Sequence, residues 1–409
     1  TISQNIELFQ KMTSGYFDEG SCVLRAKIDM SSPNINLRDP ILYRIRKLPH
    51  HQTNTKWCIY PTYDFAHGQC DAFENITHSI CTLEFEDHKP LYNWFLSHLN
   101  GYSNPTQYEF SRLNLNYTVT SKRKLKNLVD NNFVSGWDDP RMPTISGMRR
   151  RGYSADSIKS FCESCGVTKV NGIVDIAMLE YHVREFHNQF SNRVMVVINP
   201  LKVIITNYSS SKKEFIKAIN HPQNEDMGTR NVPFTKEIFI DKSDFEVSAN
   251  KKFKRLVLGK KVRLRNSYVI KAESIIYDGD NIKEVYATYD PDTLGNDPAD
   301  GIKPKGVIQW VSSPECLKIT VRMYDRLFSI PSPDSGTSND FTNSLNPNSF
   351  REIKGCVAEP SLIDAKPEMV FQFEREGYFV ADRHDFNKNN LIFNKTIGLR
   401  DSWPKINKD

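Results

Sequence analysis

The string Val119-Thr-Ser-Lys-Arg-Lys124 stands where the periodicity of the chain changes. Before it, residues 54 to 120 mix short β-branched or aromatic runs with helical stretches such as Pro90 to Leu99, a pattern typical of an α/β region. After it, from Ser121 to Phe190, apolar residues recur at intervals of three and four, as on one face of a helix. The string therefore marks a predicted junction between a sheet region and a helical one.

The second half of the chain has the period of β-strands. Beyond Asn192 apolar residues alternate with polar ones, and in Val262 to Arg265 the apolar and basic side chains take opposite faces. Many short strands separated by Pro and Gly turns predict barrels, and Pro331 to Ser349 is the best linker candidate in that half.

The composition is that of a folded protein with several domains. Its 409 residues exceed the usual size of one hydrophobic core, so we expect two to four domains. Hydrophobic residues make up 39% and charged residues 25%, which excludes a disordered or fibrous chain. No apolar run approaches the roughly 18 residues that a bilayer span needs, and no signal pattern opens the chain. We therefore expect a soluble, cytoplasmic protein that does not bind a membrane.

The eight cysteines are scattered, which is typical of reduced core residues rather than of a disulfide framework. The one close pair is Cys162 and Cys165. A structural zinc would need a second pair or two nearby histidines, and His182 and His187 are loosely placed for that role. The favoured interpretation is that the two cysteines share one face of a helix.

The charge distribution favours a polyanionic partner. With 54 basic and 49 acidic residues the net charge is +5, which is weak evidence by itself. Basic residues cluster in Ser121 to Lys126, in Arg149 to Arg151, and in Lys251 to Arg265. Three such clusters in one chain indicate nucleic acid rather than merely solvated faces.

Two side chains of the junction have the chemistry of a phosphate site. A mobile loop that offers the Ser121 hydroxyl and the Lys122 ammonium can lie against a triphosphate and neutralise the charge that develops during attack at phosphorus. The same short string occurs on many exposed loops, so the flanking sequence has to decide.

Several long strings flank the junction in a fixed order. Before it stand Lys56-Trp-Cys-Ile-Tyr-Pro-Thr-Tyr-Asp-Phe65, Ile76-Thr-His-Ser79, Cys81-Thr-Leu-Glu-Phe85 and Gln107-Tyr-Glu-Phe-Ser-Arg-Leu-Asn114. After it stand Gly136-Trp-Asp-Asp-Pro-Arg-Met-Pro-Thr144, Arg255-Leu-Val-Leu-Gly259, Tyr324-Asp-Arg-Leu-Phe328, Phe371-Gln-Phe-Glu-Arg-Glu-Gly-Tyr378 and Gly398-Leu-Arg-Asp401. Together, over essentially the whole chain, they resemble the class I glutaminyl-tRNA synthetases.

The resemblance implies a fold and its division into domains. The fold would be an α/β Rossmann catalytic domain, present as its second half only, with an acceptor-binding insertion, a helical subdomain and two C-terminal β-barrels. The expected boundaries are 1–62 for the end of the insertion, 63–120 for the Rossmann half, 121–190 for the helical subdomain, 191–244 with 335–409 for the proximal barrel, and 245–334 for the distal barrel.

The resemblance also implies a reaction and its cofactor. ATP, bound with Mg²⁺, and L-glutamine would condense to an adenylate, and a monomeric enzyme would pass the acyl group to glutamine tRNA. The expected ATP site consists of Thr82, Arg112, Leu113, Thr120, Ser121 and Lys122. Ser121 and Lys122 would act in catalysis, and Thr120 departs from the commoner Met at its position.

Glutamine recognition is carried over to Tyr63, His67, Cys81 and Gln107, whose neutral groups can hold a carboxamide. The alternative is a glutamyl-tRNA synthetase, in which a basic residue stands before the position of Thr82. Because this chain has Cys81 there, the charge of a glutamate substrate would stay unpaired. The resemblance therefore favours glutamine.

For tRNA, the resemblance places two residues near the acceptor end, one at the inner corner and five at the anticodon. These are Pro33 and Asp87, then Lys169, then Arg193, Lys254, Arg255, Gln372 and Arg375. One departure concerns Lys254, because the family has Gln two positions earlier and this chain has Lys252.

The larger departure is an absence. Class I synthetases carry a His-x-Gly-His element after the first Rossmann strand, and no such string occurs here. We expect it, with the acidic residue that holds the substrate amino group, to lie upstream of Thr1. The alternative is a catalytically inactive tRNA-binding module, but the phosphate loop beside an amide pocket favours the ligase.

Overall fold

The computed structural model describes residues 1–98, 103–333, 335 and 341–400. They fall into two compact units. The first comprises Thr1–Asn114 and Gly166–Gly172, and the second comprises Leu115–Cys165 and the chain from Ile173 onward.

The first unit contains three helices and two small sheets among its described residues. Along the chain the elements are α1 (Ile2–Thr13), β1 (Val23–Arg25), β2 (Ile41–Ile45), β3 (Ile59–Pro61), α2 (Tyr63–Phe73), β4 (His78–Thr82), α3 (Lys89–Ser97) and β5 (Thr106–Phe110), followed by β6 (Leu113–Leu115). Strands β1, β2 and β3 form an antiparallel sheet in that order. Strands β4 and β5 are parallel, and α3 connects them.

Helix α3 carries the apolar pattern that the sequence predicts. Leu91 and Phe95 pack with Ala26, whereas Tyr92 and Leu96 pack with Ala72 of α2. The helix begins one residue before the predicted start, because Pro90 is tolerated in a first turn that needs no backbone donor. Leu99, the predicted end, lies outside the described residues.

Four helices occupy the described part of the stretch that was predicted to be helical. They are α4 (Lys122–Asp130), α5 (Ile145–Arg150), α6 (Ala155–Cys165) and α7 (Ile176–Phe190), with β7 (Gly172–Val174) preceding α7. The Asp175 carboxylate caps α7 by accepting from the Ala177 N–H at 3.0 Å. The buried residues of this helix are Leu179, Val183 and His187. Cys162 and Cys165 lie on α6, as interpreted from the sequence.

The remaining elements are strands. They are β8 (Asn192–Val194), β9 (Val196–Val197), β10 (Pro200–Ile205), β11 (Glu214–Ile219), β12 (Thr229–Phe234), β13 (Glu237–Asp241), β14 (Phe245–Glu246), β15 (Leu256–Val257), β16 (Lys261–Leu264), β17 (Val269–Asp278), β18 (Asn281–Asp290), β19 (Val307–Ile308), β20 (Val311–Ser312), β21 (Leu317–Tyr324), β22 (Phe350–Ala358), β23 (Val370–Phe373), β24 (Gly377–Ala381) and β25 (Ile392–Ile397).

Most of these strands belong to two seven-stranded sheets. One has the order β19-β16-β17-β18-β10-β13-β20, and the other has the order β8-β23-β24-β25-β21-β22-β9. Each encloses its own apolar core, the first around Trp310 and Phe234, the second around Phe373 and Phe393. Two strand pairs, β11 with β12 and β14 with β15, complete this half.

The strand pairing joins parts of the chain that lie far apart in the sequence. Strands β10 and β13 pair with each other, and β10 also pairs with β18, so residues 200–241 share a sheet with 261–312. Strand β21 pairs instead with β22 and β25. A strand joins the sheet whose core its buried face fits, whatever its distance along the chain.

Within the described residues no helix is both long enough and apolar enough to cross a bilayer.

Candidate active site and RNA-binding surface

The four residues predicted to hold glutamine lie together in the first unit. Tyr63 opens α2, and its ring centre lies 5.2 Å from that of His67, one helical turn on. Cys81 lies on β4 and Gln107 on β5. The parallel register pairs Ser79 with Gln107 and Cys81 with Glu109, so these four side chains share one face of the strand pair.

The half-buried carboxylate of Asp71 organises the helix side of this pocket. Asp71 Oδ2 accepts a hydrogen bond from the Ser79 hydroxyl at 2.6 Å and from the Tyr92 hydroxyl at 2.9 Å. His67 Nε2 lies 3.2 Å from the same oxygen and 3.2 Å from Ser79 Oγ. The imidazole is thus held by two partners, which fixes the direction of its other nitrogen.

A second carboxylate organises the strand side. Gln107 and Glu109 are each 1% exposed, and Gln107 Nε2 donates to Glu109 Oε1 and to the Phe85 carbonyl, both at 3.1 Å. Both amide hydrogens are therefore used, which leaves Oε1 as the acceptor of the Gln107 side chain. Lys169 Nζ lies 2.9 Å from Glu109 Oε2, and Lys89 Nζ lies 3.6 Å from Glu109 Oε1.

On the strand side of the pocket, the carboxylate of Glu109 is paired with nearby lysines. Burial opposes ionisation of Glu109, but the hydrogen bonds from Lys169 and Gln107 outweigh it and hold the pKa of Glu109 below its ordinary value. Burial, with the nearby Glu109 charge, raises the pKa of the Cys81 thiol, and burial likewise raises the pKa of Tyr63. Cys81 and Tyr63 are therefore neutral at pH 7, and the nearby lysines already face a carboxylate.

The residues predicted to bind ATP are divided between the two units. Thr82 ends β4 and is exposed, and Arg112 and Leu113, also exposed, follow β5 in the first unit. The Arg112 N–H donates to Asn171 Oδ1 at 3.4 Å. Thr120, Ser121 and Lys122 belong to the second unit, at the start of α4.

The start of α4 fits a phosphate group. Ser121 is the N-cap residue, and its hydroxyl makes no cap hydrogen bond, so it stays available. Lys122 is exposed and has no ion pair among the described residues, while Leu125 and Leu128 anchor the helix in a core with Val119. Free N–H groups and a positive helix end, beside a lysine, are the usual surroundings of a bound phosphate.

The acidic groups do not by themselves form a metal site. In the described part of the chain no three His, Cys, Asp or Glu side chains converge as ligands, near Cys162 and Cys165 or elsewhere.

The two residues predicted to contact the acceptor end of tRNA lie near each other in the first unit. Asn34 and Asn36, just after the exposed Pro33, donate to the Asp87 carbonyl at 2.7 and 3.1 Å. The structure thus brings Pro33 and Asp87 into one neighbourhood. Lys169, placed at the inner corner by the resemblance, instead points its ammonium at Glu109 and lies 3.7 Å from Glu86.

The five residues predicted to contact the anticodon form two groups in the second unit. Strands β8 and β23 pair Arg193 directly with Gln372. Gln372 Nε2 donates to the Tyr378 hydroxyl at 2.8 Å, and Asn188 accepts from Arg193 at 3.3 Å and from Tyr378 at 3.4 Å.

The second group gathers around a buried carboxylate. Arg375 and Arg255 both lie against Asp244, at 2.6 and 3.2 Å, while Lys254 is exposed.

Several supporting residues were not identified from the sequence. Four side chains support the predicted glutamine pocket through hydrogen bonds, namely Asp71, Ser79, Tyr92 and Glu109. Asp244 forms ion pairs with two arginines. The sequence could have indicated one of these contacts, because His67 and Asp71 are four residues apart and therefore share a helix face. The other contacts join separate elements, and no spacing in the sequence encodes them.

Comparison with protein families gives the class. The chain matches the class I tRNA synthetase (E and Q) catalytic domain over residues 1–186 and two anticodon-binding domains of the same class over 191–290 and 307–382. These matches define a class I tRNA synthetase with catalytic and anticodon-binding domains. The parallel strand pair, the start of α4 and the clustered arginines agree with this class.

Comparison with individual proteins narrows the class. The glutamine--tRNA ligase of Pseudomonas aeruginosa (strain LESB58) is 56% identical over 405 residues, covering 98% of this chain and 72% of that protein. The glutamine--tRNA ligase of Proteus mirabilis (strain HI4320) is 55% identical over 409 residues, covering 100% of this chain and 73% of that protein. The chain belongs to the glutamine--tRNA ligase family, and the resemblance inferred from the sequence is confirmed.

Proposed function

We propose that the protein ligates L-glutamine to its tRNA at the expense of ATP, through glutaminyl-adenylate, with release of AMP and diphosphate. The relatives are named glutamine--tRNA ligase, which supports this assignment. The observation that carries the choice of amino acid is the pairing of charges around Tyr63, His67, Cys81 and Gln107, where both nearby lysines among the described residues already face Glu109.

The pocket residues offer hydrogen-bonding groups from two sides of the substrate. The Tyr63 hydroxyl and the outer nitrogen of His67 offer hydrogen bonds from the helix side, and Gln107 Oε1 offers an acceptor from the strand side. A side-chain carboxamide, which has both a donor and an acceptor, matches such a set. A carboxylate has only acceptors and would face Gln107 Oε1 without a hydrogen to share.

Ser121 and Lys122 would bind the phosphates of ATP. The ammonium of Lys122 would neutralise charge on the triphosphate as glutamine attacks the α-phosphorus and diphosphate leaves. Thr82, Arg112, Leu113 and Thr120 would line the remainder of the nucleotide site. Mg²⁺ would be held by the nucleotide rather than by these side chains.

The proposed architecture follows the order of the chain. Residues 63–120 would be the second Rossmann half, preceded by the end of the acceptor-binding insertion and followed by a helical subdomain from 121 to 190. The two large sheets would be the anticodon-binding barrels, in a monomer that works in the cytoplasm. Pro33 and Asp87 would meet the acceptor end of tRNA, Lys169 its inner corner, and Arg193, Lys254, Arg255, Gln372 and Arg375 the anticodon.

Aminoacylation with two competing amino acids tests the function. The native protein that carries this chain is given ATP, glutamine tRNA and either glutamine or glutamate, and charged tRNA is measured. We expect charging with glutamine and a ratio of kcat/KM for glutamine over glutamate of at least about a thousandfold, since a buried polar mismatch costs several kcal/mol. Preference for glutamate would make it a glutamyl-tRNA synthetase, and tRNA binding without charging would make it a binding module.

A further inference from the structure

Asp244 is a buried carboxylate shared by two arginines. Its side chain is 1% exposed, and its oxygens accept from Arg375 Nη1 at 2.6 Å and Arg375 Nη2 at 2.7 Å. Arg255 Nε lies 3.2 Å from Asp244 Oδ1. One negative charge thus holds two guanidiniums.

The backbone of Arg375 lies in a conformation that most residues avoid. Arg375 has φ +68° in the turn between β23 and β24, a left-handed conformation that costs free energy outside glycine. Such a conformation persists only where contacts of the residue stabilise it. The two hydrogen bonds from the Arg375 guanidinium to Asp244 are such a contact. The side chain is therefore held at one place on the surface.

Arg255 is fixed by the 3-10 turn Lys242–Asp244, which carries Asp244. Its Nη1 donates to the Ser243 carbonyl at 2.7 Å, next to Asp244. The turn itself is held by Asp241, which accepts from the Ser243 N–H at 2.9 Å and from the Asn199 N–H at 3.0 Å. The carboxylate that positions both arginines therefore stands on a short, capped 3-10 turn.

Both guanidiniums keep donors for a ligand. The side chains of Arg255 and Arg375 are 39% and 25% exposed, and each retains N–H groups that Asp244 and Ser243 do not occupy. Guanidinium groups with fixed direction are suited to the acceptor edges of unstacked bases. Lysines or mobile arginines at the same place would attract RNA without selecting its bases.

We infer that Asp244 is a positioning residue for anticodon recognition, which sets Arg255 and Arg375 in the directions needed to read bases. The inference rests on the proposed function, in which those two arginines contact the anticodon. Asp244 touches no base itself and acts through the two guanidiniums.

The test is the affinity of the chain for glutamine tRNA and for the same transcript with a changed anticodon. Asp244→Asn, which keeps the shape but removes the charge, is expected to weaken binding of the cognate transcript about tenfold and to reduce the ratio between the two transcripts. Asp139→Asn is the matched control, because Asp139 is 3% exposed and pairs with Arg141 through two bonds outside this surface. The control is expected to lose thermal stability while keeping the ratio.

A mutant cycle separates positioning from general stability. If Asp244 acts through the arginines, Asp244→Asn adds no further loss of tRNA affinity in an Arg255→Ala, Arg375→Ala background. Should Asp244→Asn unfold, Asp244→Glu takes its place in the same cycle, because it keeps the charge but displaces both guanidiniums.

The outcomes distinguish this inference from the proposed function. A wild-type chain that does not prefer the cognate anticodon overturns both. A wild-type chain that prefers it, with an Asp244→Asn variant of unchanged ratio or with additive losses in the cycle, overturns the positioning role alone.

Discussion

At the scale of single residues, we expect the identity of residue 81 to decide whether the proposed glutamine pocket accepts a neutral or a charged side chain. The Cys81 thiol is half-buried beside Glu109 and Lys89 and is neutral at pH 7 because burial raises its pKa. A neutral group leaves the carboxylate of glutamate without a partner, whereas an arginine at this position would supply one.

Cys81→Arg is therefore expected to shift the amino acid preference. The ratio of kcat/KM for glutamine over glutamate should fall at least about tenfold, because glutamate gains an ion pair and glutamine gains nothing equivalent. Aminoacylation by the native protein with each amino acid measures the ratio. Cys70→Arg, at an exposed cysteine of α2, is the control and should keep the ratio. Equal ratios in both variants would contradict the pocket assignment.

His187 is a second residue whose surroundings set its chemistry. It is 4% exposed, its Nε2 donates to the Gly152 carbonyl at 2.7 Å, and the Ser191 hydroxyl donates to its Nδ1 at 3.2 Å. Burial outweighs the contact with Gly152 and lowers the pKa of His187 to about 4 from the ordinary 6.5. The folded protein therefore keeps this imidazole neutral.

The buried imidazole predicts an acid-sensitive fold. Between pH 6.5 and about 4 the unfolded chain binds a proton that the folded chain does not, so stability is lost as pH falls through this window. His187→Gln, which keeps a donor for Gly152, should remove about 2 kcal/mol of the stability change between pH 7 and pH 5. Denaturant midpoints at the two pH values measure this change. His182→Gln, on the same helix, should retain the wild-type pH dependence, and a His187→Gln variant that also retains it would contradict the prediction.

The sequence suggested the residues of the proposed glutamine pocket but not the side chains that hold these residues in place. Tyr63, His67, Cys81 and Gln107 could be named because their strings resemble a known family, and the structure brings these four together. Asp71 could not, since two of its three partners, Ser79 and Tyr92, come from β4 and α3. Hydrogen bonds between distant elements depend on packing, which a single sequence does not record.

At the scale of elements, the turn between α5 and α6 depends on a glycine. Gly152 has φ +89°, and a Cβ there would lie 2.6 Å from Thr396 Oγ1 and 2.9 Å from Val380 Cβ. The same residue presents its carbonyl to His187 of α7. The turn therefore packs against β24 and β25 at a distance that only glycine permits.

Gly152→Ala is expected to destabilise the second unit by about 3 kcal/mol, because steric overlap adds to the cost of a left-handed backbone. Gly279→Ala is the matched control, since Gly279 has φ +60° but nothing within 4 Å of the position that an added methyl would take. It should cost only about 1 kcal/mol. Thermal or denaturant midpoints compare the two, and equal losses would show that the close approach at Gly152 does not matter.

Elements were predicted better than their partners. The apolar spacing of α3 and the helical stretch after Ser121 follow from local periodicity, which the chain displays directly. Local periodicity does not predict that β10 and β13 lie beside β18 rather than with β22 to β25. Several strands have a similar alternation of apolar and polar residues and could fit either core. The barrel boundaries drawn on the sequence stay a prediction.

At the scale of the whole molecule, the division into compact units was only partly visible in the sequence. Residues 166–172 belong to the first unit, although helices of the second precede and follow them. Two contacts explain this placement, the Ser111 N–H to the Thr168 carbonyl at 2.9 Å and Lys169 to Glu109 at 2.9 Å. A short return segment of this kind has no periodicity of its own, so pattern analysis assigns it to its neighbours.

The net charge of the whole chain makes a prediction about tRNA binding. With +5 overall and basic residues concentrated in clusters, affinity should fall linearly with the logarithm of salt concentration as phosphate contacts release counterions. Lys254 is exposed and has no ion pair within the described ranges, so Lys254→Ala should reduce the magnitude of this slope by about 1. Gln372→Ala is the control, because an uncharged amide can weaken binding without changing the slope. Binding isotherms at several salt concentrations measure both, and an unchanged slope in Lys254→Ala would show that this ammonium meets no phosphate.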